Sequence, residues 1–307
     1  MLHVGFGFSQ QRTPFMTSSS PIAIIDSGLG GLTVARAIRQ ALPAESIVYF
    51  GDTARLPYGT KTAGTVTQFV SQIIDYLKRF DPKHVVIACN TATALAMPKL
   101  RERFPDLPIS GVIDPGAKAA VIAAGRKVTP VIGVMATEAT VRSQAYERAI
   151  HSRRRHARLI MRPAPLLVPI IEEGRRPQDP LVQLALKQYI EPLMKRGLDV
   201  LVLGCTHYPI LKDSIIELVG PAVAVIDSAE QCADDVAKRL AEANLIRGEE
   251  DGSGEMKIFV TADPARFAKL ATRFLGVDID RPFWVPADEL YEINGTADER
   301  RSTQIDE

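Results

Sequence analysis

Two short apolar runs with the same ending constrain this chain more than any other feature. Val85-Val86-Ile87-Ala88 stops at Cys89 and continues as Asn90-Thr91-Ala92-Thr93; Leu201-Val202-Leu203-Gly204 stops at Cys205 and continues as Thr206-His207-Tyr208-Pro209. Each run has the length of a strand and no polar alternation, the pattern of a parallel sheet covered on both faces. In an open parallel sheet the carboxyl ends of the strands form the ligand crevice. Both thiols are therefore expected at binding positions. They stand 205 − 89 = 116 residues apart, which suggests one from each half of a duplicated α/β chain. Two thiols facing each other across a cleft are placed to move a proton between opposite faces of a small molecule.

The remaining segments fit that frame. Ile22-Ala23-Ile24-Ile25-Asp26 reads as a buried strand, followed by the glycine turn Ser27-Gly28-Leu29-Gly30-Gly31 and a helix from Leu32. Ser46 to Phe50 gives a second strand, and Thr65 to Phe80 an amphipathic helix. After a strand over 109–115, closed by Asp114-Pro115, the order restarts at Val131 and ends with Val223 to Ser228 as an echo of Gly111 to Asp114. Alternating strands and helices imply parallel sheets with right-handed crossovers. The expected architecture is α/β: two similar domains, each a mostly parallel sheet flanked by helices, related by pseudo-twofold symmetry with the active site between them. We expect a flexible leader over 1–20, a first domain from 21–114 plus 226–296, a second over 115–225, and a flexible tail over 297–307.

Composition narrows the function classes. A net charge of +1 supplies no long-range field for nucleic acid or an anionic membrane. No stretch approaches the roughly 20 apolar residues of a membrane span. Three cysteines without a CxxC pair argue against a disulfide framework and for a reducing, cytoplasmic setting. Cys232, in a helical stretch, reads as a small core hydrophobe.

The residues leave several chemistries open. Gly28-Leu29-Gly30-Gly31 invites a dinucleotide reading, but Thr33 stands where that fingerprint needs its third glycine. A tight loop at a helix N-terminus favours a small carboxylate instead. Cys205 and His207 with Cys89 fall short of a four-ligand zinc site, so no metal is expected. A hydrolase with Cys205 as nucleophile and His207 as base leaves Cys89 idle. The two-thiol reading uses both, because a helix N-terminus and nearby donors can bring one thiol toward the thiolate while the other stays protonated. Asp26 and Asp52, each ending a strand, are either caps or carboxylates that assist proton exchange, and His207 or Glu172 could serve the other thiol. Ser27, Tyr58, Gly59, Asn90, Thr91, Thr93 and Thr206 are neutral donors and acceptors suited to a ligand with an ammonium and carboxylates.

Ile25-Asp26-Ser27-Gly28-Leu29-Gly30-Gly31-Leu32-Thr33, Asp52-Thr53-Ala54-Arg55-Leu56-Pro57-Tyr58-Gly59, Ala88-Cys89-Asn90-Thr91-Ala92 and Leu203-Gly204-Cys205-Thr206-His207-Tyr208-Pro209 resemble the signature segments of the bacterial glutamate racemases. Gly111 to Gly116 and Ile226 to Glu230 fit the same family. The resemblance implies cofactor-independent interconversion of L- and D-glutamate, with D-glutamate supplied for peptidoglycan. It implies that Cys89 and Cys205 are the acid/base pair, Asp26 assisting Cys89, Glu172 and His207 near Cys205, and Asp52 supporting the site; Glu173 follows Glu172 and competes for its role. Asp26-Ser27, Tyr58-Gly59, Asn90-Thr91 and Thr206-His207 are implied substrate contacts, and Thr137 and Thr140 lie in a variable form of a further contact loop. It also implies a homodimer and, from the long leader, a UDP-linked cell-wall precursor as activator. Related aspartate and hydantoin racemases share both thiols but typically follow the second with Thr-Glu, so His207 favours glutamate. A non-catalytic amino-acid sensor or a gyrase regulator is the reading from a different class.

Overall fold

The computed structural model describes residues 16–248, 250 and 252–292. Most of the expected leader (1–15) and all of the expected tail (297–307) lie outside the described residues. In chain order the first half runs β1 (Ile22–Asp26), α1 (Leu32–Ala41), β2 (Ile47–Gly51), α2 (Ala63–Leu77), β3 (His84–Ile87), α3 (Asn90–Arg103) and β4 (Ile109–Gly111). The chain then crosses through α4 (Ile113–Ala123) into β5 (Val131–Ala136), α5 (Glu138–Arg142), α6 (Ala145–His151), β6 (Arg158–Pro163), α7 (Leu167–Glu172), α8 (Pro180–Met194), β7 (Val200–Gly204), α9 (Lys212–Val219) and β8 (Ala224–Asp227). It returns through α10 (Ser228–Glu242) to β9 (Met256–Val260), α11 (Pro264–Leu275), β10 (Phe283–Trp284) and α12 (Glu289–Glu292).

Two sheets result. One has the order β10-β9-β2-β1-β3-β4 and the other β6-β5-β7-β8, and every strand pair is parallel. The four-strand order 2-1-3-4 recurs as 6-5-7-8, so β3 and β7, the strands that deliver the cysteines, hold equivalent places. All residues of β1 and β7 are buried. One apolar core runs continuously from Ile22 and Ile24 of β1 to Leu201 and Leu203 of β7, so the halves share packing as well as strand order.

Two departures from the expected elements have a common cause. The proline at 115 is not a stop: α4 begins at Ile113 and Pro115 sits in its first turn, where a backbone N–H has no partner within the helix. Pro169 stands likewise in the first turn of α7, a helix the proline spacing concealed. β8 pairs with β7 up to Asp227, and Asp227 then caps α10 by accepting the Ala229 N–H at 2.9 Å. Among the described residues no helix is long and apolar enough to cross a membrane.

Candidate active site

The glycine turn binds a carboxylate within the chain. Its Gly28 N–H donates to Asp26 Oδ2 at 2.9 Å, so the carboxylate it binds is that of its own strand end. What the glycines allow is close approach of the halves. A Cβ on Gly30 would stand 2.3 Å from Thr206 Oγ1 and 2.5 Å from His207 Nδ1. Thr33 spans the same seam, its hydroxyl lying 3.1 Å from the Thr206 carbonyl. The second cysteine loop is thereby pressed onto the start of α1.

Cys89 leaves β3 and caps α3: its Sγ accepts the Ala92 N–H at 3.5 Å and its S–H donates to Ser27 Oγ at 3.7 Å. Burial, reinforced by the nearby Asp26 carboxylate, pushes this thiol up to about 12. Cys205 follows β7 and faces a different partner, His207 Nδ1 at 3.9 Å. The other ring nitrogen, Nε2, lies 2.9 Å from Glu172 Oε1, and the ring stands edge-on to Phe274. Burial works against a charged imidazole, but the bonds to Cys205 and Glu172 overcome it and raise His207 to about 10. Glu172 answers in the opposite direction: burial would raise it, and the His207 contact brings it below the usual carboxylate range. Glu173 turns away to pair with Arg175 at the surface, so the histidine partner is Glu172.

Both sulfurs open onto one cavity of about 350 Å³. Ser27, Tyr58, Gly59, Asn90 and Thr91 line it from the first half, and Thr137, Glu172, Thr206 and His207 from the second. Four residues singled out in the sequence do not reach it. Asp26 is fully buried behind the glycine turn, where burial raises its carboxyl, although it acts on Cys89 and His207 through space. Asp52 is fully buried too and accepts from Arg55 Nε at 2.8 Å, Tyr58 O–H at 2.5 Å and Thr261 O–H at 3.0 Å. It is a scaffold for Tyr58. Thr93 donates to the Ile87 carbonyl at 2.9 Å, and Thr140 lies 2.9 Å from Thr137, whose hydroxyl is 2.9 Å from that of Thr91 across the halves. Pro57, Thr60, Glu138, Ala164, Pro165, Val168 and Pro169 also line the cavity and were not anticipated. Apart from Glu138 and Thr60 they are apolar wall residues, which carry no signature in sequence, and Val168 and Pro169 belong to α7, the helix that the prolines concealed.

Two consequences are measurable. Asp52→Asn leaves the Arg55 cation buried beside a neutral amide and should destabilise the fold by roughly 3–5 kcal/mol, read as a lower denaturant midpoint at unchanged slope. His207, raised from 6.5 to about 10, binds its proton more tightly folded than unfolded. Its contribution is complete below about pH 6.5 and is lost as pH climbs through 10. Urea midpoints should therefore fall between those values, and His207→Asn should flatten that alkaline decline; an equal slope in the variant would show the imidazolium is not its source.

A parallel α/β protein with one thiol from each half in a shared cavity is the class that fold and site define. The Asp/Glu/Hydantoin racemase model matches residues 22–235. A glutamate racemase of Neisseria meningitidis is 43% identical over 256 residues, 83% of this chain and 93% of that protein. The crystal structure of Francisella tularensis glutamate racemase with D-glutamate is 33% identical, with a TM-score of 0.80 over 89% of this chain and 99% of its own. Escherichia coli glutamate racemase, solved with L-glutamate and the activator UDP-MurNAc-Ala, is 26% identical, with a TM-score of 0.65 over 83% of this chain and 94% of its own. The chain belongs to the Asp/Glu/Hydantoin racemase family.

Proposed function

We infer that this protein interconverts L- and D-glutamate without a cofactor, in the cytoplasm, and that the D-isomer feeds peptidoglycan synthesis. The observation that carries the reading is the pairing of Cys89 and Cys205 on one enclosed cavity in different settings, a buried carboxylate behind one and a buried histidine held by Glu172 beside the other. In the direction that begins at Cys205, its thiolate takes the Cα proton: an S–H bond forms, the Cα–H bond breaks, and the electron pair passes into the α-carboxylate. The Cys89 S–H then delivers its proton to the opposite face and becomes the thiolate. His207 with Glu172 on one side, and Asp26 on the other, are the groups placed to return the thiols to their starting protonation.

The α-proton of an amino acid is a very weak acid, so the site has to stabilise the carbanion-like state. Donors aimed at the α-carboxylate in an enclosed, water-poor cavity act where charge develops. Asn90, Thr206 and Ser27 are the candidates on the cavity wall.

The test is polarimetric. Purified protein with either enantiomer, and no added cofactor, should bring optical rotation to zero from both directions, with aspartate converted far more slowly. Binding without loss of rotation would replace the enzyme by a sensor. A UDP-linked muramyl precursor, the kind of activator named for the E. coli relative, is proposed to raise the rate, and the protein to sediment as a homodimer.

A further inference from the structure

Tyr146 of α6 is wholly buried, and two glycines make room for it. A Cβ on Gly204 would stand 3.1 Å from Tyr146 Cε2, and one on Gly116 would stand 3.4 Å from the phenol oxygen. The phenol O–H reaches out of the second half and donates to Asn90 Oδ1 in the first, at 2.8 Å. Asn90 is the residue after Cys89, is 2% exposed, and lines the cavity. With Oδ1 held by Tyr146, its Nδ2 is left buried with no acceptor. Buried polar groups are rarely left unpaired, and one on a cavity wall beside a reacting thiol points to an acceptor supplied by the ligand.

Resting on the racemase reading above, we propose that Tyr146 is a positioning residue whose hydroxyl fixes the Asn90 amide so that Nδ2–H meets the substrate α-carboxylate. The terminal torsion of asparagine is broad and nearly two-fold. Nothing else in the amide itself decides which end faces the cavity. Turned over, it would present a carbonyl oxygen to a carboxylate whose charge grows as Cα loses its proton. Ser228 opens α10 where the chain returns to the first half, and its hydroxyl donates to the Leu203 carbonyl of β7 at 3.3 Å, beside the space Gly116 leaves for the phenol. The tyrosine thus ties the orientation of one amide to the seating of the two halves.

The experiment compares wild type, Tyr146→Phe, Asn90→Ala and the double variant in glutamate racemisation, with thermal midpoints alongside. Loss of a donor to a developing oxyanion lowers kcat by on the order of 10²-fold, expected for Asn90→Ala. Tyr146→Phe, which keeps the ring, should lower kcat about tenfold with a smaller change in KM, because the amide turns over only part of the time. The double variant should match Asn90→Ala alone. Wild-type kcat in Tyr146→Phe, or the same tenfold loss when Asn90 is already alanine, would overturn the proposal. A second readout needs no tyrosine variant: the ¹⁵N side-chain amide signal that disappears in Asn90→Ala should shift when glutamate is added to wild type, and a signal that stays put would overturn it too. A wild-type protein inactive on glutamate would instead strike the functional reading on which the proposal stands.

Discussion

Alanine at Cys205 should lower racemisation in both directions by on the order of 10²–10⁴-fold, and alanine at Cys89 should do the same. In the proposed scheme each thiol is base in one direction and acid in the other, so neither loss can be confined to one enantiomer at equilibrium. The serine variants sharpen the prediction. A hydroxyl is a far poorer base at neutral pH than a thiolate, yet it can still hold and donate a proton. Cys89→Ser should therefore retain more of the half-reaction in which Cys205 takes the proton than of the reverse, read as Cα exchange in deuterated water. The surroundings favour that order: Cys89 is pushed up to about 12, while a histidine raised to about 10 faces Cys205. Near wild-type turnover in both serine variants would remove the two-thiol scheme.

The second large effect is expected at a residue that touches no ligand. Gly30→Ala places a carbon 2.3 Å from Thr206 Oγ1 and 2.5 Å from His207 Nδ1. Thr206 can rotate, but the ring is held by Glu172 at 2.9 Å and by Phe274, so relief has to come from moving the Cys205 loop. A displacement of about 1 Å at a reacting group costs on the order of 10²-fold in rate, and overpacking of this kind costs about 1–3 kcal/mol in stability. Activity should fall much further than stability, with the thermal midpoint lower by a few degrees. A variant with unchanged kcat would show that the seam between α1 and the Cys205 loop does not set the distance between the thiols.

The sequence showed most plainly what depends on local pattern. Unbroken apolar runs identified the central strands, and their repetition around Cys89 and Cys205 corresponds to the matching order of β2-β1-β3-β4 and β6-β5-β7-β8. Prolines concealed α4 and α7, because the same residue that ends a helix is harmless in a first turn. Which of Glu172 and Glu173 faces the histidine depended on that hidden α7, since two adjacent residues of a helix point to different sides. The glycine turn is more instructive. Its spacing is compatible with an anion cradle, but the carboxylate its Gly28 N–H meets is that of Asp26, two residues from the donor, and the space left at Gly30 is filled by Thr206 and His207, 176 and 177 residues away in the chain. Contacts of that range leave no periodicity to read. The same holds for Tyr146 and Asn90, whose pairing exists only once the two halves are assembled.

Everything in this account turns on protons reaching and leaving Cα from opposite sides by way of different sulfurs. The most direct measurement is isotope content at low conversion, starting from protiated L-glutamate in deuterated water. Newly formed D-glutamate should carry deuterium at Cα while recovered L-glutamate keeps its protium. Deuterium at equal levels in both enantiomers would mean a single group serves both faces, and would contradict it.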